Sequence, residues 1–111
     1  MIVTVFRSRL RPDVQAEYAD WAKRMSELAA TVPGYVSHKG FVAEDGERLT
    51  LVEFTSEEAL RAWSVHPAHL QAKKLGRQQF FVEYRVQICN VVRDWQADTG
   101  SQVERPAGRR R

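Results

Sequence analysis

The chain has 111 residues, 43% of them hydrophobic and 28% charged, which sets a single globular domain of ordinary size and excludes a disordered polypeptide. The net charge of +3 is unevenly placed: residues 96–111 carry four arginines against two acids, while residues 1–95 are close to neutral, so there is no basic stripe of the kind that a nucleic-acid surface needs. Cys89 is the single cysteine, no segment nears the ~20 apolar residues of a membrane helix, and no basic-then-apolar leader opens the chain; a cytoplasmic protein without membrane contact is expected.

The opening run Met1 to Leu10 is β-branched and alternates from Thr4 onward, so it reads as a strand. Pro12 turns the chain, and Asp13 suits a helix N-cap. Over 14–32 the apolar residues Val14, Tyr18, Trp21, Met25, Leu28, Ala29 and Val32 recur at steps of three or four, the period of an amphipathic helix, which Pro33-Gly34 ends. Strands are expected over Tyr35–Val42 and Arg48–Phe54, joined antiparallel by a hairpin with Asp45-Gly46 at its centre. Ser56, Glu57 and Glu58 open a second helix. His66-Pro67 interrupts it, and a further helical piece is expected to stop at Gly76 before a long strand over Phe80–Arg93. The domain is placed at 1–95 and a disordered basic tail at 96–111.

The order β-α-β-β-α-β predicts an α+β, ferredoxin-like fold: an antiparallel sheet with its helices on one face. The last strand has apolar residues on both alternations, Phe81, Cys89 and Val91 on one and Val82, Tyr84, Val86, Ile88 and Val92 on the other. Such a strand is expected to be covered on both sides, and a second copy of the sheet would close a dimeric α/β-barrel. A short chain buries only about two thirds of its unfolded surface, so a partner would also extend its core.

Four stretches carry a family resemblance: the strand before Pro12-Asp13, the helix end V-P-G-Y-V-S (Val32 to Ser37), the run L-x-L-V-E-F-x-S-E-E-A-L-x-A-W (Leu49 to Trp63), and H-P-A-H-L-x-A-x-x-x-G-R (His66 to Arg77) with the strand after it. Over roughly residues 1–93 this ordered set resembles the antibiotic-biosynthesis monooxygenase family. The resemblance implies a homodimer with a small-ligand pocket between sheet and helices. It also implies one of three activities: oxygenation of phenols or quinols without a cofactor, haem degradation, or no reaction at all. The haem-degrading branch shares the tryptophan at Trp63, but its asparagine would align with Arg7 and its iron ligand with Lys73, so that reading ranks last. A shifted iron ligand would have to be His66 or His69.

Metal-free oxygenation asks for a dry apolar pocket, a proton acceptor and donors for an anion. Trp63, Phe80, Phe81 and Tyr84 are candidate walls, His69 or His38 a candidate base, and Tyr84 or Arg7 a candidate donor. The catalytic set is therefore His69, Trp63 and Tyr84, and the substrate-binding set is His38, Arg7, Phe80 and Phe81, with no cofactor and no metal. Structural explanations compete at each position. Trp63 has helical spacing with Ala59 and Leu60 and suits a core; His66 suits a cap; His38, between Ser37 and Lys39, suits a solvated strand face. Tyr84 is expected to be buried, Arg7 and Arg9 suit a dimer salt bridge, and Lys73-Lys74 suits a solvated helix face. No Gly-rich phosphate loop, zinc-ligand spacing or nucleophile elbow occurs. The competing function is a non-catalytic dimeric barrel that binds a small apolar ligand or assists a partner.

Overall fold

The β-branched N-terminal run forms β1 (Ile2–Leu10), and it becomes an inner strand of the sheet because both β3 (Arg48–Phe54) and β4 (Phe81–Asn90) pair with it antiparallel. The hairpin partner β2 (Tyr35–Val42) completes the order β2-β3-β1-β4. The computed structural model describes residues 1–100 of the chain. Helix α1 (Gln15–Ala29) links β1 to β2, and α2 (Glu57–Ser64) and α3 (Pro67–Leu75) link β3 to β4 through a π-helical turn at Gly76–Phe80. This is the expected α+β, ferredoxin-like arrangement. No element covers residues 91–100; of the expected tail 96–111, residues 101–111 lie outside the described residues.

The core collects at one end of the sheet. Ile2, Val52 and Phe54 pack under Ala29 from α1, Val32 from the loop after it, and Ala59, Leu60 and Trp63 from α2. These rows are where apolar residues of both layers coincide, and burying each large side chain contributes about 1.5–3 kcal/mol. Gly34 makes the loop before β2 possible: its φ is 93°, and a Cβ there would lie 2.6 Å from the Ala59 Cβ. Ser56 caps α2 by accepting from the Ala59 N–H, as its position suggested.

Four local expectations are corrected. Asp13 does not cap α1; it sits in the left-handed region at φ 67°, and Val14 is the N-cap without a side-chain bond. α3 ends at Leu75 as expected, but not through a glycine stop: Gly76 is itself helical (φ −57°) and opens the π-helical turn, and it is buried because Phe81 packs where its side chain would be. Val36 is an extra residue between Tyr35 and Ser37, so the register shifts and His38 falls opposite Val52, on the helix side, half-buried rather than on a solvated face. Val82 is likewise extra between Phe81 and Glu83, which puts Phe81 on the same face as Tyr84, Val86 and Ile88. The helix-free face of β4 is then Glu83, Arg85, Gln87 and Cys89, so the strand is apolar on its helix side only.

Candidate functional site

The helix side of the sheet holds two groups of side chains that could do chemistry. The first hangs on the break between α2 and α3. Pro67 starts α3 without needing an N–H donor, and His66 caps that start by accepting the Ala68 N–H at its Nδ1, 3.1 Å away. The tight turn brings His69 back over Trp63. Their rings stack 4.3 Å apart at 10°, and His69 Nδ1 lies 3.2 Å from the Trp63 carbonyl oxygen. A carbonyl only accepts, so Nδ1 carries the proton and Nε2 keeps its lone pair. Burial pushes the His69 imidazole down to about 4, which keeps it neutral at physiological pH and makes it a weak base until a nearby anion offsets the burial. Trp63 itself is 6% exposed and belongs to the core cluster.

The second group lies at the opposite end of β1. Ile2 and Ser8 are six residues, about 20 Å, apart on an extended strand. Around Ser8, Phe81 is the hub of a ring network, with centroids 5.3 Å from Phe6, 5.6 Å from Tyr18, 5.8 Å from Tyr84 and 6.4 Å from Phe80. Tyr18 comes down from α1 and carries the Arg48 guanidinium 5.4 Å over its ring. Burial raises the Tyr18 hydroxyl's pKa, while Arg48 and the Thr50 side chain pull it back.

The expected site residues therefore divide. His69 and Trp63 come together; Phe80, Phe81 and Tyr84 come together in the ring network, and no ring contact joins the two groups among the described residues. Tyr84, expected buried, is 44% exposed, and Val86 and Ile88, two and four residues on, are 50% and 59% exposed, so the helices leave this part of β4 uncovered. His38, on the helix side of β2, has its pKa lowered by burial. Arg7 faces the other way, onto the helix-free side, where it makes a paired contact with Glu47 (Nε–Oε2 3.0 Å, a second N–O contact 3.1 Å), and Arg9 binds Asp45 at 2.8 Å. Both guanidiniums have raised pKa values and both carboxylates lowered ones through these bonds.

The helix-free side also carries a cavity of about 370 Å³ lined by Val5, Phe41, Leu49, Gln87 and the Arg7–Glu47 pair. Lys73 donates to the Ser64 carbonyl at 3.1 Å and so fastens α3 to the end of α2. No group of three or more His, Cys, Asp or Glu side chains suits a metal ion, and no helix is long and apolar enough to cross a membrane, among the described residues.

Sequence reasoning passes over Tyr18, Arg48 and Ser8. Tyr18 is absorbed into the apolar stripe of α1, and Arg48 and Ser8 become neighbours only through the β1–β3 register.

Comparison with known proteins gives these geometries a family. The chain is 30% identical over 89 residues to the uncharacterized protein YqjZ of Bacillus subtilis (strain 168), spanning 80% of this chain and 78% of that one. Among solved structures, Rv0793 of Mycobacterium tuberculosis superposes with a TM-score of 0.76 at 17% identity, over 84% of this chain and 96% of the other. SnoaB of Streptomyces nogalater, a cofactor-independent oxygenase, superposes at 0.72 with 18% identity, over 84% and 94%. Residues 1–75 match the model of the antibiotic biosynthesis monooxygenase family. The chain belongs to that family.

Proposed function

We propose that this protein is a cofactor-independent monooxygenase of a small aromatic substrate, a phenol, quinol or polyketide-like ring, and that it works as a homodimer. Family membership supports the reaction class, and the fold is shared with an oxygenase that is itself cofactor-independent. One observation carries the reading for this chain: His69, stacked on Trp63 with Nδ1 committed to a carbonyl, presents Nε2 as a neutral proton acceptor in a partly dry setting.

The chemistry needs little else. Nε2 takes the proton of the substrate hydroxyl, and the anion left beside the imidazolium offsets the burial that otherwise disfavours its charge. The electron-rich anion passes one electron to dioxygen, and the radical pair joins to a peroxide. Loss of water then leaves a carbonyl: a ring methylene gives up two hydrogens, one oxygen atom stays on carbon, and the other departs as water. Dimerisation is supported by the apolar strip Val5, Leu49 and Phe41 on the helix-free face, which no element among the described residues covers.

Oxygen consumption with a panel of anthrones and quinols tests the proposal. Enzyme-dependent uptake is expected, falling about 100-fold in His69→Gln. No uptake across the panel would sink it in favour of a non-catalytic ligand-binding barrel, a reading that the separation of Tyr84 from His69 into different ring groups supports.

A further inference from the structure

Antiparallel pairing sets three polar side chains in one row across the helix side of the sheet: Arg48 on β3, Ser8 on β1 and Tyr84 on β4, with Ser8 the direct partner of both. Such a row spans two strand spacings, about 10 Å. Ser8 is 3% exposed, yet its hydroxyl finds no hydrogen-bond partner among the described residues. A buried hydroxyl without a partner opposes folding, so its retention in the row is not explained by stability. Arg48 has no carboxylate partner among the described residues, in contrast to Arg7 and Arg9 on the opposite face. It is held instead over the Tyr18 ring. Phe6 and Phe81 border the row with their rings, and it opens to solvent at its Tyr84 end.

We propose that Arg48, Ser8 and Tyr84 form an oxyanion subsite that takes the anionic oxygen of an aromatic ligand, a carboxylate or phenolate, with the ligand's ring against Phe6 and Phe81. Each group supplies what such a ligand needs. The guanidinium is a cation that no carboxylate among the described residues neutralises, with forked donors, the serine and tyrosine hydroxyls are further donors, and the aromatic edges accept another ring. Thr4, four residues earlier on the helix side of β1 with Phe6 between, carries a second buried hydroxyl without a partner among the described residues. The proposal goes beyond the oxygenase reading, because the row lies at the other end of β1 from His69, and it is tested by binding alone.

The probes are 2-naphthoate and its neutral isostere 2-naphthamide, titrated into the full chain at pH 7.4 and followed by calorimetry and amide NMR shifts. The wild type is expected to prefer the acid by about tenfold, the worth of a charge-assisted contact. Arg48→Met should abolish that preference while leaving amide binding in place. Ser8→Ala should weaken the acid several-fold and melt at or above the wild-type temperature, since it removes an unsatisfied buried group. A preference unchanged in Arg48→Met, equal affinity of the two probes for the wild type, failure of both to bind, or a Ser8→Ala protein that melts lower with intact acid binding would each overturn the subsite. Should the oxygen-uptake panel fail while the Arg48-dependent preference holds, the oxygenase reading falls and the subsite stands.

Discussion

Substituting Gly76 by alanine probes whether the ring network is as tightly closed as its geometry indicates. Gly76 has helical backbone angles, so alanine by itself would gain about 1 kcal/mol of helix propensity there. Against this, the new Cβ would lie 2.7 Å from Phe81 Cε2 and 3.1 Å from Cδ2, inside the ~3.5 Å at which carbon atoms attract. Phe81 is half-buried, and its contacts with Phe6, Tyr18, Phe80 and Tyr84 hinder a retreat. Overpacking of a fenced side chain costs about 3 kcal/mol, the top of the usual range. The net loss is then about 2 kcal/mol, or roughly 10 °C in melting temperature for a domain of this size. Thermal unfolding followed by circular dichroism measures it. In a Phe81→Leu background the ring is gone, so the same substitution should be neutral or stabilising. A single Gly76→Ala variant that melts higher than wild type, or a penalty that persists without the Phe81 ring, would refute the argument.

Three further outcomes follow from the same structure. His69 is pushed down to about 4 from 6.5, so between those values the folded state binds fewer protons than the unfolded state and stability falls as pH drops through that window; above 6.5 this group adds no slope. The lowered His38 acts in the same direction, so urea midpoints at pH 7, 5.5 and 4.5 should decline more steeply in the wild type than in His69→Gln, and equal slopes would show that His69 is not held neutral by the fold. Leu49→Glu on the helix-free face should convert the proposed dimer to a folded monomer by sedimentation equilibrium; a dimer that survives would move the interface elsewhere. Gly34→Ala should cost about 2 kcal/mol or more, because the φ of 93° and the 2.6 Å approach to Ala59 both oppose a side chain, and a melting temperature within a degree or two of wild type would contradict that.

What could be read in advance follows the range of the signal. The bounds of β2 and β3 came out as expected because Pro33-Gly34 and Asp45-Gly46 are local punctuation, legible within a few residues. The break at His66-Pro67 was legible for the same reason, and with it the return of His69 toward Trp63. The helical stripe of α1 located Tyr18 on the buried side but said nothing of Arg48, which meets it from a strand thirty residues away. The extra residues Val36 and Val82 had no local signature at all, since each is an ordinary β-branched residue inside a strand-like run.

Val82 shapes the site all the same. With strict alternation Phe81 would share a face with Glu83 and Arg85 and point away from the helices. The extra Val82 turns it to the face of Tyr84, where it meets Phe6, Tyr18 and Phe80 at once. Its ring then occupies the space beside Gly76, and the ring network that borders Ser8 and Arg48 depends on it. Deleting Val82 would remove the irregularity and leave Phe81 and Tyr84 two residues apart, on one face by plain alternation, so it is the spacing of three that makes the extra residue necessary. The aromatic wall of the proposed subsite thus rests on a one-residue irregularity in the sheet, which is why periodicity alone assigned Phe81 and Tyr84 to opposite faces.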